Sequence, residues 1–193
     1  MKAVFFDIDT QIDFVFPTGA LYVPGAERLL PVIENLNRYA AAHGFPVIST
    51  TDAHSEDDLE FQQWPHHCVA GTAGQQKPAA TLLAHRALVP TAPGDYSIEG
   101  AQQIIVEKQK LDLFSNPNLP RLLEKLNAER YVVYGVVTEY CVRCAVVGLL
   151  RLGKPVELVT DAIQSLDLRE AERTYADFQA GGGRLTTSAA VCD

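Results

Sequence analysis

No run of lysines and arginines occurs anywhere in this chain. Its 16 basic residues are scattered among 24 acidic ones, and the formal net charge is −8 over 193 residues. That balance offers nothing to track a phosphate backbone, which excludes nucleic acid as a partner. Equally missing is an uninterrupted apolar stretch near the ~18 residues that a membrane-crossing helix needs, so no membrane partner is expected. No secretory signal is expected at the N-terminus, because Lys2 leads straight into Ala3-Val4-Phe5-Phe6, which reads as a strand. Cysteines are few. The four present are widely spaced, which suits reduced thiols in a cytoplasm better than a disulfide framework. No Ser/Gly/Pro-rich linker, internal repeat or low-complexity tract divides the chain. With 47% hydrophobic residues it can bury one sizeable core, and residues 1–193 are expected to form a single domain.

What is present alternates. Apolar strand-like runs cover 3–8, 46–51, 104–106, 131–137 and 156–160, with a last one at 183–187. Helical patterns cover 26–42, 120–126, 141–152 and 169–179. Gly44-Phe45-Pro46 and Gly153-Lys154-Pro155 close two of those helices with the expected glycine and proline. Strands that are apolar throughout, separated by amphipathic helices, predict a three-layer α/β/α fold with a mostly parallel, doubly wound sheet. Active sites of such sheets lie beyond the carboxyl ends of the strands. Asp9 ends the first strand, Asp52 and His54 follow the second, Lys108 follows Ile104-Ile105-Val106, and Cys141 follows the long run before it. Chemically capable groups from four strand ends therefore converge on one sheet edge.

Cys141 is the most informative of them. It stands where a buried strand gives way, through Thr138-Glu139-Tyr140, to an apolar helical pattern. A thiol there faces free N–H groups and the positive end of a helix dipole, which are expected to lower its pKa. The Cys141/Cys144 spacing also matches a redox dithiol, but Cys144 would lie one helical turn on, facing the apolar stripe. Taken singly, each partner has an ordinary reading. Asp9, like Asp13, could cap a turn, and Lys108 could be one of the solvated charges in Glu107-Lys108-Gln109-Lys110. Together, a carboxylate, an ammonium and a thiol form a nucleophilic set, with turn N–H groups for an oxyanion. Lys108 is preferred to Lys110 because it is nearer the strand end. Asp9 is preferred to Asp7, although strand alternation would put both on one face.

A second cluster adjoins the first. Asp52 and His54 present a carboxylate and an imidazole, the segment Trp64-Pro65-His66-His67-Cys68 adds another imidazole, and Glu60 lies between. Such a set suits one divalent ion, zinc, manganese or iron, with coordination positions left open. One of His66 and His67 is expected to face it.

At this point the chain resembles a known family. Asp9-Thr10-Gln11-Ile12-Asp13-Phe14 resembles the D-x-Q-x-D-F opening of the isochorismatase-like cysteine hydrolases. Gly135-Val136-Val137-Thr138-Glu139-Tyr140-Cys141-Val142 resembles their G-x-x-T-[DE]-x-C-V nucleophile segment, and Lys108 their lysine segment. Asp52, His54 and the Trp64 to Val69 stretch resemble the metal motif of the nicotinamidase (pyrazinamidase) branch. The resemblance implies a triad of Asp9, Lys108 and Cys141. It implies metal ligation by Asp52, His54 and His67, with Glu60 in a variable fourth place. It implies a cis peptide between Val137 and Thr138 that aims N–H groups at an oxyanion. The oxyanion donors are then expected at Val137, Thr138 and Cys141, and Phe14 and Trp64 are expected to wall a small amide substrate such as nicotinamide. A homo-oligomer is the expected assembly. Two other readings remain open: a carbamoyl, ureido or other small-amide hydrolase without the metal, and a non-enzymatic binding domain.

Overall fold

The six apolar runs become six of the seven strands in the computed structural model, which describes residues 2–193. In chain order they are β1 (Ala3–Ile8), β2 (Val47–Asp52), β3 (Arg86–Val89), β4 (Gln103–Lys108), β5 (Arg130–Val136), β6 (Val156–Gln164) and β7 (Arg184–Thr186). The α-helices are α1 (Ile12–Val15), α2 (Leu30–Ala42), α3 (Leu119–Leu126), α4 (Arg143–Leu150), α5 (Leu168–Ala180) and α6 (Ser188–Cys192). The sheet order is β3-β4-β2-β1-β5-β6-β7, and every neighbouring pair is parallel. β1 is buried along its whole length, as a central strand covered on both faces must be.

The helices bury narrow stripes. α2 buries Ile33, Leu36, Asn37 and Ala40, and α3 buries Leu119, Leu122, Leu123 and Leu126, both at the i, i+3, i+4, i+7 spacing of one helical face. Each such leucine contributes roughly 1.5–3 kcal/mol by leaving water. Proline in the first turn of both helices removes an N–H that had no partner there. The Asp167 side chain caps α5 by accepting from the N–H groups of Arg169 and Glu170. α2 packs with α6, and α4 with α5.

This topology places the site. The chain runs outward from β1 through β2, then returns to the other side of β1 with β5. That reversal opens a crevice at the carboxyl ends of β1 and β5. Close approach of the two strands there demands Gly135. Its φ is +121°, and a Cβ would fall 2.1 Å from the Ile8 carbonyl oxygen.

Several expectations change. The pattern over 26–42 divides into a 3₁₀ turn, Ala26–Leu29, followed by α2. The helix expected from residue 141 begins only at Arg143, because Thr138–Val142 forms a π-helical turn. β3 went unread; it is a four-residue edge strand, half exposed and too short to show a period. Asp7 and Asp9 point to opposite faces. Asp7 accepts from Ser49 Oγ and Asp9 from Thr50 Oγ1, successive residues of β2. Asp9 has φ +48°, so strand alternation ends at Ile8. Asp7 instead pairs with buried Lys77 at 3.1 Å.

Candidate active site and metal centre

Lys108 is the hub of the site. Register pairs it with Asp52 across β2 and β4. Its ammonium lies 2.5 Å from Asp52 Oδ1, 2.8 Å from Asp9 Oδ2 and 3.6 Å from Cys141 Sγ. The residue is 1% exposed, whereas Lys110 lies on the surface. Burial alone would favour the neutral amine, but the Asp52 and Asp9 carboxylates outweigh it and hold Lys108 protonated well above its usual range. Burial likewise pushes Asp52 up, to about 6, with Asp9 adding to the shift and Lys108 opposing it.

Asp9 is held in place from one side. Its Oδ1 accepts from Thr50 Oγ1 at 2.6 Å, while Oδ2 faces Lys108 without hydrogen-bond geometry and has no hydrogen-bond partner. That oxygen retains a lone pair for a proton. One ligand atom each from Asp9, Asp52 and Cys141 lies within 4.8 Å of the others.

Cys141 differs from expectation in its resting state. Burial raises its thiol pKa well above the ordinary value; Lys108 pulls it down, and the Asp9 and Asp52 charges push it up again. The lowering expected from turn N–H groups and a helix dipole is reversed because the thiol is only 5% exposed and faces two carboxylates. It also lies in the π turn rather than the first α-helical turn. The resting group is a thiol beside a carboxylate oxygen that faces Lys108 but accepts no hydrogen bond. The cis peptide is Val136–Val137, one bond earlier than expected. β5 ends at Val136, still in register with Gln164, so the chain departs from the sheet there and Thr138 already opens the turn.

The second cluster converges as well. One ligand atom each from Asp52, His54 and His67 lies within 4.8 Å of the others. Glu60 Oε1 stands 4.0 Å from His54 Nε2 and 3.8 Å from His67 Nε2. The remote ring nitrogens are both held: His54 Nδ1 pairs with Asp58 Oδ2 at 2.9 Å, and His67 Nδ1 with the Pro65 carbonyl at 2.7 Å. Each ring thereby turns Nε2 inward, the orientation of a metal-bound imidazole. His54 Nε2 is buried without a partner, as a ligand atom awaiting an ion would be. Burial keeps His67 below its usual pKa, favouring the neutral ring that a metal needs. These residues fit a divalent ion. His66 is exposed and stacks on Phe61 instead.

A cleft lined by Asp9 and Cys141 on one side and by Asp52, Glu60 and His67 on the other joins the two clusters. Phe14 and Trp64 line it. Leu21, Val23, Leu111, Tyr140 and Leu166 also line it, and no sequence signal had marked them. Supporting residues had been missed too. Gln11 clamps Asp52 through both its N–H and C=O, and Asp13 Oδ2 accepts from the Cys68 N–H beside His67. The Gln and second Asp of the opening motif thus hold the loops that carry the ligands.

Fold and site define a parallel α/β protein whose switch-point crevice joins a buried Asp–Lys–Cys cluster to an acid–imidazole centre. The isochorismatase domain model matches residues 3–190, and the chain belongs to that family. It is similar to the nicotinamidase of Escherichia coli (strain K12), 24% identical over 204 residues that cover 94% of this chain and 93% of that one. The pyrazinamidase of Pyrococcus horikoshii, solved in complex with zinc, superposes with a TM-score of 0.81 at 26% identity, covering 97% of this chain and 99% of the other. PnC1 of L. infantum, solved in complex with nicotinate, gives 0.81 and 26%, covering 98% and 94%.

Proposed function

We propose that this protein is a metal-dependent amidohydrolase that converts nicotinamide to nicotinate and ammonia through a thioester on Cys141. One observation carries the reading: Asp9 and Cys141 line a single cleft with Asp52, Glu60 and His67, while the buried Lys108 ammonium lies 2.8 Å from Asp9 Oδ2 and 3.6 Å from Cys141 Sγ. Asp9 Oδ2 takes the thiol proton as Sγ attacks the carboxamide carbon, and Lys108 balances the new thiolate charge. The carbonyl oxygen becomes an oxyanion, for which the backbone N–H groups at Val137, Thr138 and Cys141 are the assigned donors. Asp9 returns the proton to the amide nitrogen, the C–N bond breaks, and ammonia leaves a thioester. Asp9 then takes a proton from water as its oxygen attacks the thioester carbon. The C–S bond breaks, the acid is released and Cys141 regains its proton. General-base action of this kind is worth ~10²–10⁴-fold.

Asp52, His54 and His67, with Glu60, would hold the divalent ion, which supplies a coordination position for a ring nitrogen. Phe14 and Trp64 provide flat apolar walls for the ring. The acid product would feed NAD salvage in the cytoplasm, and the likenesses to a zinc-bound pyrazinamidase and a nicotinate-bound relative favour this substrate class. The test is ammonia release from nicotinamide, pyrazinamide, benzamide and small ureido compounds, with and without chelator. Nicotinamide should be preferred and its turnover lost on chelation. Equal, chelator-insensitive hydrolysis of nicotinamide and benzamide would leave only a broader amidase.

A further inference from the structure

Glu139 stands in the π turn of the nucleophile, two residues before Cys141, yet it does not line the cleft. Its Oε1 accepts from two backbone N–H groups across the turn, Leu166 at 2.9 Å and Asp167 at 2.8 Å. Its Oε2 is shielded from solvent and has no hydrogen-bond partner among the described residues. Glu139 is half-buried, and a carboxylate with one oxygen shielded and unpaired is an unfavourable choice for stability alone. The adjacent residue makes a parallel tie: Thr138 Oγ1 donates to the Gln164 carbonyl at 3.0 Å, and Gln164 Nε2 donates to the Pro24 carbonyl at 2.9 Å.

What these ties hold is a wall of the cleft. Leu166 lines the cleft while remaining 46% exposed, and it lies in the three-residue link between β6 and α5. It is not part of the buried core, so packing does not set its place. Its backbone N–H is bound to Glu139, and that bond does.

We propose that Glu139 is a positioning residue that fixes the Leu166 wall relative to Cys141 and so sets how tightly the substrate ring is held. The proposal rests on the site being an amide hydrolase. A wall that touches substrate equally before and during reaction acts on KM and leaves kcat nearly unchanged. Glu139→Met keeps the volume and removes the acceptor. Glu139→Gln keeps an oxygen that can accept both N–H groups.

The experiment is a double-mutant cycle of Glu139→Met and Leu166→Ala, measured on the amide that the wild type hydrolyses best. Each single variant should raise KM about 5–10-fold, with kcat within about threefold. The double variant should be no worse than the poorer single, because both changes act through one wall. Glu139→Gln should return KM to within about twofold of wild type. Protection of Cys141 from iodoacetamide by nicotinamide repeats the cycle as a binding measurement without turnover. If Glu139→Met does not fold, Glu139→Ala replaces it. Multiplicative KM effects in the double variant, or a lower melting temperature with unchanged KM, would overturn the proposal. Absence of both turnover and protection in the wild type would instead sink the amide-hydrolase reading.

Discussion

Replacing Lys108 by Met removes an ammonium 3.6 Å from Cys141 Sγ while keeping most of the buried stem. At an effective dielectric of about 20, unit charges that far apart interact by roughly 4–5 kcal/mol, which would be ~10³-fold in rate if lost entirely. Some of it returns as water and protein dipoles relax around the vacated site. The expected loss in kcat/KM for nicotinamide is therefore ~10²–10³-fold. Removing one member of a buried ionic cluster also costs about 3–5 kcal/mol of stability, so the melting temperature should fall by roughly 10 °C. Rates belong at 25 °C, below that transition, with metal content checked because Asp52 touches Lys108 at 2.5 Å. Lys110→Ala is the control. Lys110 is exposed and should change kcat/KM less than twofold. A Lys108→Met enzyme within tenfold of wild type, or a Lys110→Ala enzyme as damaged, would refute the charge argument.

Cys141→Ala should abolish turnover while preserving the fold, checked by ammonia release and circular dichroism; residual activity above the buffer rate would remove the thioester from the mechanism. His54→Ala should lose the bound ion, measured by elemental analysis, and most nicotinamide turnover, while benzamide hydrolysis changes little; equal losses on both amides would argue against a metal that reads the ring nitrogen. Asp58→Ala leaves the ligands intact but frees His54 Nδ1, and metal affinity should fall ~10–100-fold in a competition titration, with an unchanged affinity counting against the orienting role.

The positions of Cys141, Asp9, Asp52 and His54 were legible because each stands at the end of an apolar run, and chain period together with residue type marks such ends. Lys108 was legible for the same reason, but its separation from Lys110 in role is a matter of burial. One ammonium lies under the sheet edge between two carboxylates and the other in solvent. Neither the reversal of the thiol shift nor the true place of the cis bond could be read locally. The first depends on how much water reaches Cys141 and on charges delivered by β1 and β2, the second on where β5 leaves its pairing with β6. Leu21, Val23, Leu111 and Leu166 carry no chemistry that a pattern could flag, and they become cleft walls only because separate loops meet over the β1/β5 crevice. The amino-acid sequence by itself determined six of the seven strands, the chemically capable groups and the sheet edge they occupy, since those follow from nearest neighbours along the chain. Distances of 2.5–4.0 Å between side chains up to 99 residues apart were decided by strand order and register, which arise only when the strands find one another.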